Sequence, residues 1–224
     1  MLKIRYVIML LLLASSTFVL KAQEDVLMLG LRAGHNASLG GFAAISIETR
    51  QRFDCDFQIE GGVQYNTIGR TALEARPAYV KDFSWGQMAA EALVAYTNMG
   101  TVNSIAAGAG FDLQGRWIGG KAGYFYRTYG IKGSMMKEAF NIYYELNVNF
   151  LPMIDEWDLQ FSITNNEIFE LERHYQPSFI LQSAYYPRRN IGISLGIGCK
   201  PAGMFNMSAD YYQTFLKTGI CYRW

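Results

Sequence analysis

The carboxyl-terminal segment from Tyr211 to Trp224 alternates strictly between two kinds of side chain. One set of alternate positions is mostly apolar or aromatic: Tyr212, Thr214, Leu216, Thr218, Ile220, Tyr222 and Trp224. The positions between them include Gln213, Lys217 and Arg223. A period of two predicts a β-strand with one apolar and one polar face.

Four more segments show the same alternation, at 57–66, 140–150, 157–164 and 190–197. The chain is 50% hydrophobic and 15% aromatic, but beyond the first 22 residues its apolar residues are dispersed. A soluble antiparallel sandwich also alternates. The length of these runs, the apolar amino terminus and the aromatic carboxyl terminus together favour a membrane β-barrel.

Residues 1–22 have the features of a secretory signal peptide. Lys3 and Arg5 precede an apolar run over 7–13, and small residues follow, with Ala22 suited to the cleavage position. The apolar run is shorter than the roughly 20 residues of a membrane-spanning helix. We therefore expect two parts, a signal peptide over 1–22 and one barrel domain over 23–224.

The last strand, with its terminal aromatic residue, resembles the closing strand of Gram-negative outer-membrane β-barrels. The resemblance implies an outer-membrane location and contact with outer-membrane lipids. It also implies that the barrel-assembly machinery binds the terminal strand during biogenesis. The residues that would form this assembly signal are Leu216, Ile220, Tyr222 and Trp224. The resemblance transfers no catalytic residue.

The alternation and the turn residues predict about twelve antiparallel strands. Their expected ranges are 26–36, 40–50, 55–67, 70–80, 87–97, 102–113, 116–129, 138–150, 156–165, 176–186, 189–199 and 211–224. Pro77 in the fourth strand and Ser183 in the tenth leave ten strands as an alternative. An even number places both termini in the periplasm, with short turns there and longer loops outside at 130–137, 166–175 and 200–210.

Charged and amide side chains on the polar faces should point into the barrel, because a charge that faces hydrocarbon is costly. The predicted lumen-facing residues are Arg32, Glu48, Glu60, Gln64, Glu74, Arg76, Glu91, Asp112, Lys121, Arg127, Glu145, Asp158, Lys217 and Arg223. They could line a pore or a binding pocket. They could equally form a salt-bridged, packed interior without a path through it.

The leading functional hypothesis is a porin-like channel or transporter that conducts or binds a small polar solute. A second is a lipid-modifying enzyme in which His35 activates Ser38 or Ser208. A third is a structural or adhesin-like barrel that presents its loops. With 20 Lys+Arg and 19 Asp+Glu the chain gives no reason to expect nucleic acid as a partner. No CxxC or HxxxH spacing suggests a metal site, and we expect no cofactor.

Deletion of Tyr222–Trp224 should prevent assembly, because it removes the end of the strand that closes the barrel. The truncated protein is expected in the periplasm or degraded, as measured by membrane fractionation and heat-modifiable gel migration. A normal outer-membrane yield of the truncated protein would contradict the barrel assignment.

Overall fold

The computed structural model describes residues 25–37, 40–53, 55–131, 134–151, 154, 156–166, 176–201 and 211–224. These residues form twelve strands, which confirms the predicted number and excludes the alternative of ten. The strands are β1 (Val26–Asn36), β2 (Gly40–Phe53), β3 (Phe57–Asn66), β4 (Thr71–Phe83), β5 (Gly86–Asn98), β6 (Val102–Gly115), β7 (Ile118–Ile131), β8 (Ser134–Asn149), β9 (Trp157–Thr164), β10 (Ser178–Arg188), β11 (Ile191–Pro201) and β12 (Tyr211–Arg223). The predicted signal peptide lies outside the described residues.

Every strand pairs antiparallel with its neighbours in sequence, and β1 pairs with β12 to close the barrel. The closing register runs without a shift from Val26 opposite Arg223 to Asn36 opposite Gln213. Closure gives every strand two neighbours, so the described strands form a ring without an edge strand. Between β8 and β9 the described pairing covers Glu145–Asn149 of β8. The all-β, antiparallel barrel predicted from the alternation is confirmed.

The apolar side chains of the strands face outwards. Leu195, Leu216 and Ile105 are each about three-fifths exposed, whereas most charged residues on the alternate positions are buried or only partly exposed. Such an extended apolar surface is unusual on a soluble monomer and suits contact with hydrocarbon. The described residues include no helix that is long and apolar enough to cross a membrane.

The two ends of the barrel differ. The end that holds both termini also holds the turns after the even-numbered strands, and we call it the turn end; the opposite end is the loop end. Trp85, Trp117, Trp157 and Trp224 all lie at the turn end, and each is about half exposed. Indole rings favour the boundary between hydrocarbon and water, so this belt marks one edge of the membrane-spanning zone.

Several predicted boundaries were wrong because the strands continue past the alternating core. Strand β2 extends to Phe53 and β4 to Phe83. The loop predicted at 130–137 is largely strand, since Gly130 and Ile131 still pair with β8. Alternation weakens where strands leave the bilayer, although backbone pairing continues there. The loops predicted at 166–175 and 200–210 fall mostly outside the described residues.

Pro77 is accommodated within β4. Pairing of β4 with β5 is interrupted between Ala75 and Ala78 and then resumes in the same register. Proline lacks an N–H group and so cannot donate to the ladder at its own position. The interruption is therefore local and leaves the strand count unchanged.

Replacement of outward-facing Leu195 by Arg should destabilise the barrel by about 2–4 kcal/mol, the cost of a cation near the bilayer midplane. As a matched control, Gln182→Arg changes the inward face of neighbouring β10, opposite Gly196. We expect a much smaller effect there. Denaturant titration in lipid vesicles, followed by tryptophan fluorescence, measures both. Equal losses would contradict the assigned facing.

Candidate functional site

The inward face carries the residues that sequence analysis predicted to face the lumen. Each of the fourteen lies on strand positions that alternate with the exposed apolar side chains. The structure does not gather them into one site. Six of them form a buried ion-pair network on one side of the barrel: Glu60, Glu74, Arg76, Glu91, Asp112 and Lys121.

Arg76 is at the centre of this network. Its Nη1 donates to Glu91 Oε1 at 3.0 Å, and its Nε contacts the carboxylate of Glu74. Its Nη2 donates to Asn166 Oδ1 at 2.6 Å. Three different acceptors thus hold one guanidinium in place. The side chains of Arg76 and Glu91 are almost completely buried, at 4% and 3% exposure.

Lys121 is the second cation of the network and has three carboxylate neighbours. Its Nζ lies 3.3 Å from Glu60 Oε2, 3.3 Å from Glu91 Oε2 and 3.4 Å from Asp112 Oδ2. Tyr143 adds a hydroxyl that donates to Glu91 Oε1 at 2.7 Å. The network combines charge compensation with hydrogen bonds to the carboxylates, the arrangement that buried charges require.

The network reaches across the lumen. Lys121 is on β7 and Glu60 on β3, four strands apart, and Arg76 on β4 contacts Asn166, which follows β9. Glu145 on β8 extends the network through Asn166 Nδ2, which donates to its Oε2 at 3.3 Å. Side chains of β3–β9 therefore meet inside the barrel and fill that side of the lumen.

The opposite inner wall has a patch of small residues at its middle, and the larger side chains of Arg32, Phe42 and Phe215 lie nearer the loop end. Gly30, Ser46, Ser194, Gly196 and Gly219 lie on the inward positions of β1, β2, β11 and β12, and we call this surface the small-residue wall. Side chains this short project little into the lumen. Of these positions, Ser46 is partly exposed and the other four are buried.

The charges beside the small-residue wall are more accessible than those of the network. The side chains of Glu48 and Lys217 are 38% and 26% exposed, and the closest oxygen–nitrogen distance between them is 3.9 Å. A loose pair of this kind contributes little to stability and keeps its charges available to solvent and solutes. The charges of the lumen are thus asymmetric: those of the network are packed, and those beside the small-residue wall, which we call the solvated half, are more exposed.

A polar cavity of about 400 Å³ opens at the turn end, and we call it the vestibule. It is lined by Val26, Arg50, Arg52, Gln58, Gln87, Gln114, Arg189, Asn190, Arg223 and Trp224. All four charged side chains among these residues are arginines. Cavities of this volume are in the range that holds small-molecule ligands.

The ring of Tyr186 positions Arg223 at the vestibule. The guanidinium lies over this ring at 3.9 Å from its centroid, and the ring lies against Gly192, where a Cβ would clash with it. Next to the vestibule, the carboxyl of Asp25 accepts a hydrogen bond from the backbone N–H of Arg52 at 3.1 Å. Burial raises the pKa of that carboxyl.

Some predicted residues face inward apart from the network. Arg127 is fully buried, with its guanidinium 4.9 Å from the Phe125 ring centroid. Arg32 stacks on Phe215 at 3.6 Å. Gln64 lies on β3 and Asp158 on β9, at the inward positions of those strands.

Sequence reasoning missed Tyr143, Asn166 and most of the vestibule lining, including Arg50, Arg52 and Arg189. Arg52 lies beyond residue 50, the predicted end of the second strand, although it continues the inward alternation of Glu48 and Arg50. Tyr143 lies on an inward position of β8 and could have been found from that strand's alternation. Asn166 could not have been found in this way, because its contact with Arg76 forms only when the barrel is closed.

His35, the residue of the lipid-enzyme hypothesis, is on the outward, exposed positions of β1, and its cross-strand neighbours are Gly41 and Thr214. That hypothesis stays a prediction. Ser38 and Ser208 lie outside the described residues. Within the described part of the chain, no group of three or more His, Cys, Asp or Glu side chains is placed to hold a metal ion.

Comparison with known proteins identifies the fold. No family model matches the chain, and no curated protein matches its sequence. The KdgM porin in complex with disordered oligogalacturonate aligns with a TM-score of 0.56 at 12% identity, over 88% of this chain and 98% of that one. The NanC porin gives 0.56 at 9% identity, over 87% and 98%.

The translocator domain of the autotransporter NalP from Neisseria meningitidis aligns equally well. Its TM-score is 0.56 at 11% identity, over 99% of this chain and 95% of that one. The chain therefore has the fold of outer-membrane barrels of the porin type. Since two porins and a translocator share it, function must be argued from the lumen.

Glu91→Gln should destabilise the barrel by about 3 kcal/mol, because it leaves Arg76 and Lys121 with one fewer carboxylate inside the buried network. Glu48→Gln is the matched control, since its carboxylate is loosely paired and partly exposed; there we expect less than about 1 kcal/mol. Denaturant titration of the refolded barrel measures both. Equal effects would mean that the network does not depend on Glu91.

Proposed function

We propose that the protein is an outer-membrane channel that conducts a small polar solute along the small-residue wall. The observation that carries this proposal is the asymmetry of the lumen. Ion-paired side chains fill the side formed by β3–β9, whereas glycine and serine line the middle of the opposite wall. Larger inward side chains, Arg32, Phe42 and Phe215, follow on that wall only nearer the loop end.

The solvated half has the chemistry of a polar pathway. Glu48 and Lys217 place opposite charges beside the small-residue wall, and Arg50 is 41% exposed further towards the turn end. A solute that passes here meets both hydrogen-bond donors and acceptors. Because these two charges are opposite and close together, this part of the lumen selects only weakly between anions and cations.

The comparisons include solute channels with this fold. The KdgM porin is one of them, in complex with disordered oligogalacturonate, a polar saccharide. The extent of the alignment, over 98% of that porin, means that this chain has room for a complete barrel of the same type. The equally similar NalP barrel is a translocator domain, so the fold alone does not choose between the two functions.

The turn end is expected to face the periplasm. Short turns and both chain termini lie on that side in single-chain outer-membrane barrels, and here the turns after the even-numbered strands are short. The barrel-assembly machinery and outer-membrane lipids remain the expected partners. On this orientation the vestibule opens towards the periplasm.

Planar-bilayer recordings of the refolded protein test the channel directly. We expect discrete conductance steps, and we expect His35→Ala to leave them unchanged because that side chain faces away from the lumen. A correctly folded protein without conductance would overturn the proposal. In that case, presentation of the loops would become the leading function.

Ion selectivity gives a second test of the proposed route. Glu48→Gln should shift the preference of the channel towards anions, because it leaves Lys217 as the charge beside the pathway. The shift is read from the reversal potential in a salt gradient. Asp112→Asn, a change at a buried network acid, should move the reversal potential much less. A larger effect at Asp112 would place the pathway on the other side of the lumen.

A further inference from the structure

We propose that the vestibule is a binding site for a small, hydroxyl-rich solute that carries a carboxylate or phosphate group. The inference rests on the proposed function, since a channel gives such a solute access to this mouth. The vestibule would add a step that selects anions. The middle of the lumen does not supply such a step, because Glu48 and Lys217 carry opposite charges there.

The first observation is the arginine lining. Arg189 forms no ion pair with any residue in the described ranges, so its guanidinium group is available to a ligand. Arg223 has no carboxylate within 4.0 Å among those residues, and the carboxylate of Asp158 interacts with it only from a greater distance. Arg223 is held by its stacking on Tyr186, which leaves the edge of the guanidinium for hydrogen bonds. A guanidinium edge matches the two oxygens of a carboxylate or phosphate.

Arg50 is a third available donor, and Arg52 is not. The contact of Arg50 with Glu60 Oε1, at 2.8 Å, uses its Nε and leaves both terminal nitrogens. Arg52 donates from Nη1 and Nη2 to the two carboxylate oxygens of Asp82, at 3.2 and 2.7 Å. Asp82 therefore neutralises Arg52, while three of the four arginines keep donors for an anion.

The second observation concerns the glutamines of the vestibule. The amide nitrogen of Gln58 donates to Glu60, that of Gln87 to Asp82 and that of Gln114 to Asp112, at 3.0–3.1 Å. Each amide nitrogen is thus engaged with an acid, and each amide keeps its carbonyl oxygen as an acceptor. Carbonyl acceptors suit the hydroxyl donors of a sugar-like solute.

The two sets of groups define the ligand class together. Arginines supply donors for an anionic group and glutamines supply acceptors for hydroxyls, within a cavity of about 400 Å³. A cation would meet unpaired guanidinium groups, and an apolar molecule would bury polar groups without partners. Sugar acids and sugar phosphates fit both requirements.

Calorimetric titration of the refolded protein in detergent micelles tests the site. The probes are D-glucuronate, D-glucose 6-phosphate and neutral D-glucose. We expect at least one of the two anions to bind about tenfold or more tightly than glucose. The anion that binds identifies carboxylate or phosphate as the recognised group. Equal affinities for all three probes would overturn the proposal.

Two substitutions test whether the anion binds in the vestibule. Arg189→Gln, in an exposed turn, should weaken anion binding about five- to tenfold, as expected for loss of a hydrogen bond between charged groups. The control is Arg188→Gln, which removes the same charge from the adjacent residue that does not line the vestibule. We expect that variant to bind like the unchanged protein. Equal weakening in both variants would show a general charge effect and reject the site.

Conductance of the same preparation separates the two proposals. A protein that conducts but binds the three probes equally keeps the channel and loses the vestibule site. A protein that binds an anion through Arg189 without conducting keeps the site and loses the channel.

Discussion

The pairing of β1 with β12 is the contact on which the rest of the structure depends. Hydrocarbon offers no hydrogen-bond partners, so every backbone group within the bilayer must be satisfied by a neighbouring strand. The unshifted register from Val26 to Asn36 supplies those partners along the full length of the seam. Closure also divides the side chains into two sets, because each strand then has one face towards lipid and one towards an enclosed lumen.

The enclosed lumen explains why so many charges are tolerated inside a small barrel. Carboxylates from β3–β6 compensate the charges of Arg76 and Lys121. Asn166 accepts a further hydrogen bond from Arg76 across the lumen. Packing these groups on one side concentrates polar contacts there and leaves the small-residue wall opposite. In the proposed function, the solute passes beside this network, along the small-residue wall.

Sequence alone predicted the fold because strand alternation and turn residues are local properties. The segments around Tyr144 and Leu195 alternate for long enough to identify membrane strands, and their number follows from the turns between them.

The candidate site was less predictable. Alternation indicates that Arg76 faces inward, but its contact with Asn166 joins strands five places apart. Such contacts depend on barrel curvature and stagger, which one sequence does not encode locally. The vestibule was missed because Arg52 lies beyond the predicted end of β2. Gln87 and Gln114 were missed because a single amide side chain in a sequence does not by itself indicate a binding site.

Accessibility of single cysteines from water tests the asymmetric lumen most directly. In a protein whose Cys55, Cys199 and Cys221 are replaced by Ser, Lys217→Cys should react readily with a charged, membrane-impermeant thiol reagent. Asp112→Cys should react much more slowly, because that position lies within the packed network. Rates can be followed by mass spectrometry on the folded barrel in lipid vesicles. Comparable rates at both positions, or faster reaction at 112, would contradict a lumen that is filled on one side and solvated on the other.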